Sequence, residues 1–303
     1  MKYYTIPTLI LLQLLLCSPA QARQFTDDTG QTVNVTTPYT RIISLYAAHT
    51  ENLFNLTLEE QIIGVTNNED YPPYALEKAT FSTRDGVEKF LAAKPDLVLI
   101  RPMQRRGYPS LWAALEKNGI TVVALQPSTI DDMYTYWRTL GLLCGRELQA
   151  ERMVGEFKEK LETALQRLDR IPFKERPGVF FESIHKKLAT FSPGSMPIFV
   201  LQTAGGVNVA KDAKPRHGTN IASYGLERLL SKAQKIDIYL AQYGVMNEVD
   251  VHNIMNGPAA SRIKAVRDRN VFLVDERLAS RPTMRLLKGI DTVHKLLHPD
   301  GNH

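Results

Sequence analysis

The sequence predicts an α/β protein of two Rossmann-like lobes with mostly parallel sheets, joined by one long α-helix. Three observations point there. Short apolar runs alternate with helical spacings, the pattern of a parallel sheet covered on both faces. One long amphipathic stripe interrupts that pattern near the middle of the chain. A six-residue phrase is also written twice, as "GVEKFL" at 86–91 and "GLERLL" at 225–230, each time ahead of a run that reads as a buried strand.

The first 22 residues stand apart from the fold. Lys2 supplies a positive start, "LILLQLLL" is apolar but too short to span a bilayer, and "AQA" at 20–22 is a small-x-small cleavage site. Residues 1–22 are therefore expected to be a signal peptide, cleaved after Ala22, with the remainder exported. Cys17 offers a lipid anchor as the competing reading, but Leu16 before it is bulkier than such processing favours, so a soluble periplasmic form is preferred. Without the leader the chain holds 36 basic and 32 acidic residues and one cysteine, Cys144, which excludes an internal disulfide. The small basic excess is spread along the chain, which gives nucleic-acid binding no support.

The N-terminal lobe is assigned to residues 23–145. Asp-Asp-Thr-Gly within "FTDDTGQTVNV" reads as a hairpin turn. Strands come next at "RIISLY" (41–46), "QIIGVT" (61–66), "DLVLI" (96–100) and "TVVALQ" (121–126), with helices over "TENLFNL", capped by Thr50, and over 109–118. Residues 146–170 form the lobe-spanning helix: Val154, Phe157, Leu161, Leu165 and Leu168 recur at three and four residues until Ile171-Pro172 ends the run. At 1.5 Å per residue that helix is roughly 36 Å long, enough to reach across two lobes. A helical connector implies a small opening and closing movement.

The C-terminal lobe, 171–303, repeats the pattern. Strands fall at "GVFFES" (178–183), "DIYLA" (237–241) and "NVFLVD" (270–275), with helices over 222–233, 253–265 and 282–297. His49 precedes Glu88 by 39 residues and His185 precedes Glu227 by 42, each histidine lying just beyond the first strand of its half. A carboxylate in the first turn of a helix complements the helix dipole, which alone would account for both glutamates.

The order and spacing of "DDTGQTV", "RIISL…TENLFNL", "IIGVTNNEDYPP", "KPDLVLI", "LGLLCGRELQAERM", "GLERLL" and "VFLVDERLASRPTMRLLKGI" resemble the substrate-binding proteins of ABC importers, in the branch that carries vitamin B12, ferric siderophores or haem. The resemblance covers nearly the whole exported chain. It implies a monomer that delivers a small-molecule chelate to an inner-membrane permease with its cytoplasmic ATPase, holding no intrinsic cofactor. It also implies that Glu88 and Glu227, one per lobe, meet arginines of the permease. The aromatic positions of the vitamin B12 carrier are not matched, since Arg84 and Arg101 stand where that relative has tryptophans.

Ligands of open α/β sheets lie beyond the carboxyl ends of the strands. That rule, with the resemblance for Arg84, selects Tyr46, His49, Tyr71, Arg84, Arg101, Tyr243, Arg277 and Arg281 as ligand-binding. Arginine forks bind carboxylates and catecholate oxygens, and tyrosine adds a flat apolar face, so a large, partly flat, anionic cargo is expected. Tyr46, His49 and His185 could ligate haem iron, and the alternative cargo is a bare transition-metal ion held by the same three with Asp275. A remoter alternative is an exported hydrolase using His49 and Glu51. No nucleophile elbow, His-Glu-x-x-His helix or phosphate loop supports an enzyme.

Overall fold

The computed structural model describes residues 23–215, 219–258 and 260–299; the expected signal peptide and Cys17 lie outside them. Three sheets form: a two-stranded N-terminal hairpin, Arg23–Thr26 with Thr32–Val35, and one larger sheet in each lobe. The first lobe's sheet has five strands, all parallel, in spatial order Ala79–Phe81, Ile62–Thr66, Ile42–Ser44, Leu97–Ile100, Thr121–Ala124. The chain enters at the central strand, runs outward to one edge, then returns to fill the other side. The reversal lies between Ile42–Ser44 and Leu97–Ile100, and the loops leaving those two strands diverge to open a crevice.

The second lobe's sheet has seven strands and is mixed. Gly178–Ile184, Ile238–Tyr243, Val271–Asp275 and the two-residue Val207–Asn208 are parallel, while Ala189–Phe191, Ile221–Ser223 and Lys214–Pro215 extend the sheet with antiparallel pairings. The sequence pattern shows the three long parallel strands only, because the other strands are two or three residues long and carry no period.

Several helix limits differ from expectation. The first helix is Ala47–Asn55, entered from Tyr46, and Thr50 lies inside it with its hydroxyl donated to Ser44 Oγ at 2.8 Å. Residues 221–223 are strand, and the helix begins at Leu226 after Gly225. The stretch 253–265 breaks into Val251–Met255 and Lys264–Arg267, because Pro258 has no N–H to continue the ladder. The last helix starts at Leu286 rather than 282.

Ile130–Cys144 and Glu147–Asp169 form an antiparallel pair, and the second is the spanning helix, 23 residues or about 34 Å long. Its apolar stripe buries Met153, Val154 and Phe157. Phe157 packs edge-on against Trp137 and Tyr134, with ring centroids 5.4 and 6.0 Å away. One hydrophobic cluster runs from Ile42 and Leu53 of the first lobe, through this helix, to Phe181, Ile198 and Ile290 of the second. The lobes therefore share a core as well as a connector.

Gly64 shows how tightly the first lobe's sheet is packed. A Cβ there would run into the Phe81 ring on the neighbouring edge strand and crowd Ile43. Gly64→Ala is expected to lower stability by about 2 kcal/mol in urea unfolding, with an unchanged m-value.

Candidate functional site

A cavity of about 920 Å³ opens between the lobes. Its first-lobe wall is built at the sheet's reversal point, from Leu45 and Tyr46 after one strand and Arg101 to Gln104 after the other. Arg101 lies over the Tyr46 ring, 4.6 Å from its centroid, and donates from Nε to Gln126 Oε1 at 3.1 Å. It lines the cavity and makes no ion pair among the described residues, which leaves guanidinium donors available to an anion. Gln104 fixes this corner by bonding the Arg101 N–H and the Leu45 carbonyl.

A second part of this wall comes from the N-terminal hairpin. Asp27 is buried and accepts from the backbone of Thr29, Gln31 and Ala124, while Asp28 accepts from the Gln126 N–H at 2.5 Å. These bonds seal the Asp-Asp-Thr-Gly turn onto the end of the Thr121–Ala124 strand and bring Phe25, Thr26 and Asp28 to the cavity. Burial, and then the charges of Asp27 and Asp132, hold the Asp28 carboxyl above its ordinary range. The second lobe contributes Phe191, Ile221, Gln242, Val245, Met246, Glu276 and Arg281.

His49 does not line this cavity. It is completely buried beneath Tyr46, with Nδ1 2.6 Å from the Tyr136 hydroxyl and Nε2 3.2 Å from the Ile100 carbonyl. Loss of solvation pushes its pKa down to about 3, so it is neutral, and both nitrogens are engaged. It positions Tyr136 from within the first lobe. His185 is also elsewhere: its Nδ1 bonds the buried Glu182 carboxylate at 3.0 Å, which raises its pKa, and Tyr239 closes the same carboxylate with a short bond. Among the described residues no group of three or more His, Cys, Asp or Glu could hold a metal ion.

The expected arginine lining is corrected most. Arg281 reaches the cavity, but its guanidinium is spent on a bidentate pair with Asp70 of the other lobe at 2.7 and 2.8 Å. Arg277 is held by Asp275 at 2.9 Å, lies 3.9 Å from Asp70, and does not line the cavity. Arg84 is exposed and outside it. Tyr71 is likewise outside, stacked under Arg285, whose guanidinium forks onto Glu51. Tyr243 stops short of the cavity, and the turn after it supplies the lining instead. Tyr46, Arg101 and Arg281 are brought together; the remaining five candidates are not.

The family model of the periplasmic binding proteins matches residues 42–278. The chain belongs to the periplasmic binding protein family. A vitamin B12-binding protein of Vibrio cholerae is 25% identical over 259 residues, covering 84% of this chain and 88% of the relative. An uncharacterized ABC transporter substrate-binding lipoprotein of Bacillus subtilis, YvrC, is 24% identical over 277 residues, 90% of this chain and 85% of that one. The crystal structure of a possible iron-binding (periplasmic solute-binding) protein from Staphylococcus epidermidis superposes with a TM-score of 0.73 at 24% identity, covering 86% of this chain and all of that one. These matches span both lobes, so this periplasmic binding protein has the two-lobed α/β fold expected. No helix among the described residues is long and apolar enough to cross a membrane.

Glu69 sits beside the lobe junction with both carboxylate oxygens buried and poorly served by hydrogen bonds, since the nearby Thr50 hydroxyl is given to Ser44 at 2.8 Å. Burial raises its pKa from 4.5 to about 7, against lesser lowerings by the Thr50 hydroxyl and then by Arg281. Between those two values the folded protein keeps a proton that the unfolded chain has released, so stability falls as pH rises through that window. The loss is on the order of 3 kcal/mol. Glu69→Gln removes it: chemical denaturation of both proteins at pH 5 and pH 8 is expected to show the wild type losing about 3 kcal/mol relative to the variant.

Proposed function

We propose that this chain is a periplasmic substrate-binding protein of an ABC importer that captures an iron chelate (siderophore or haem) or a corrinoid between its lobes. Export with a cleaved leader, action as a monomer and the absence of catalytic turnover belong to the same reading. The observation that carries it is the 920 Å³ cavity with Arg101 laid over Tyr46 at the sheet's reversal point, large enough for a chelate and built from both lobes. The vitamin B12-binding relative and the importer lipoprotein relative support it.

Capture rests on a small set of side chains. Tyr46 supports the Arg101 guanidinium from below, leaving its donors aimed at an oxygen-rich anion, and Tyr46 is itself braced by the buried, neutral His49. The cavity is not uniformly cationic, because Asp28, Asp132 and Glu276 also line it and Arg281 is already neutralised. A cargo with one anionic group near Arg101 and a large uncharged body fits this arrangement better than a polyanion.

Fluorescence titration of residues 23–303 with haemin, cyanocobalamin, cobinamide and ferric siderophores tests the reading, with zinc and manganese ions as the contrast. Trp137 is a suitable reporter, since its indole N–H bonds the Pro282 carbonyl across the junction at 3.1 Å. Submicromolar binding of one chelate, weakened tenfold or more by Arg101→Ala, is expected; a charge-assisted hydrogen bond is worth about that much. Binding of bare ions alone would sink the carrier-of-chelates reading.

Delivery is assigned to Glu88 and Glu227. Both are exposed in the first turn of a helix, Val87–Ala93 and Leu226–Ser231, each coming after a short strand toward the edge of its own sheet. Exposed carboxylates so placed can meet a permease's arginines, contributing orientation and encounter rate more than affinity. The double reversal Glu88→Arg with Glu227→Arg is expected to abolish permease-dependent uptake while leaving cargo affinity within twofold. Uptake that survives would remove the docking assignment.

A further inference from the structure

The strand Ile238–Tyr243 ends in a tight turn, Gly244 to Asn247, closed by backbone bonds in both directions at 3.2 and 3.0 Å. The turn is anchored from below. Asn247 is buried, donates from Nδ2 to the Gln242 carbonyl at 2.6 Å and accepts the His185 N–H on Oδ1 at 2.9 Å. Gly244 lies so close to Glu276 that a Cβ would run into its carboxylate. The product of this bracing is two adjacent apolar side chains, Val245 and Met246, held 68% and 60% exposed at the cavity wall.

Met103, 54% exposed, lines the same cavity from the first lobe, in the first turn of the helix Pro102–Gly107, two residues after Arg101. A well-fixed turn gains nothing by presenting Val-Met to water, and a helix start gains nothing by presenting Met; an exposed apolar group on a braced scaffold is a contact surface. The two surfaces belong to different lobes and border one space. An occupant of the cavity therefore meets both.

We propose that Val245 and Met246 on the second lobe and Met103 on the first are opposed apolar jaws that select a cargo bearing an extended uncharged face, such as a tetrapyrrole or corrin ring. This rests on the carrier reading and adds the chemistry it selects for. Arg101 fixes one anionic edge, and the jaws close on the faces. Methionine suits the task, since its unbranched thioether adapts to an irregular surface and packs well on rings. Compact hydrophilic chelates would leave the jaws in water and gain nothing from them.

The test uses the exported chain and two polar variants, Met103→Gln and Val245→Ser with Met246→Gln, each altering exposed side chains only. Affinities for haemin, cyanocobalamin and ferric citrate are measured, with thermal unfolding as the control for folding. The expected result is that the wild type prefers a ring-bearing probe and that each variant weakens it tenfold or more, with Tm unchanged; withdrawing large apolar groups from a buried contact is worth at least that factor. Ring binding unchanged within twofold in both variants overturns the proposal. Wild-type binding of ferric citrate but neither ring compound overturns it too, and leaves the carrier reading standing. Binding of none of the three by the wild type overturns both.

Discussion

Two guanidinium groups four residues apart, on Arg281 and Arg285, hold the lobes in register and shape the space between them. Arg281 forks onto Asp70 and Arg285 onto Glu51, both carboxylates belonging to the other lobe. Between the arginines, the Pro282 carbonyl accepts from Asn52 Nδ2 at 3.0 Å and from Trp137 Nε1 at 3.1 Å. Buried ion pairs add little net stability, but separating one partner is costly, so the junction favours one arrangement over a continuum of openings. The apolar cluster beneath, continuous through the spanning helix, acts in the same direction. Both features oppose wide separation of the lobes.

The same pairs decide the electrostatics of the cavity. Counted along the sequence, the cleft segments are rich in arginine; counted in the structure, Arg277, Arg281 and Arg285 are each matched by a carboxylate. Arg101 and Arg106 line the cavity without an ion pair among the described residues, and the orientation of Arg101 comes from neutral groups: the Tyr46 ring, Gln126 and Gln104. A guanidinium held by neutral partners keeps its full attraction for an anion. The His49 to Tyr136 bond beneath serves this arrangement, since an imidazole forced to stay neutral holds Tyr46 without adding charge.

Legibility in the sequence depends on distance along the chain. The strand and helix alternation, the 23-residue spanning helix and the corner made by Tyr46 and Arg101 all depend on local periodicity or on the position just past a strand end. The pairing of Arg281 with Asp70 spans 211 residues and that of Arg285 with Glu51 spans 234, and no local pattern announces either. His49 comes after a strand as the rule for clefts requires, yet the helix from Ala47 turns its side chain inward. The hairpin contribution is half visible: Asp-Asp-Thr-Gly predicts a turn, but that Asp27 seals it onto Ala124, 97 residues on, needs the fold. Arg84 is selected by resemblance, and a loop can keep its place in a family while its side chain leaves the site.

A junction fixed in this way constrains how such a carrier could report its load. If the shared core and the two arginine forks hold the lobes, the spacing between Glu88 and Glu227 stays nearly constant whether the cavity is filled or empty. Two carboxylates at constant spacing can orient the protein on a symmetric partner but cannot distinguish its states. The distinction must then come from what changes on filling, which is the solvent exposure of the cavity rim. Val245, Met246 and Met103 are exposed apolar groups there, and a cargo that covers them removes hydrophobic surface at the cavity mouth. In the proposed reading, docking and discrimination are thus divided between charged groups on the outer helices and apolar groups at the rim, and a rigid two-lobed frame serves both.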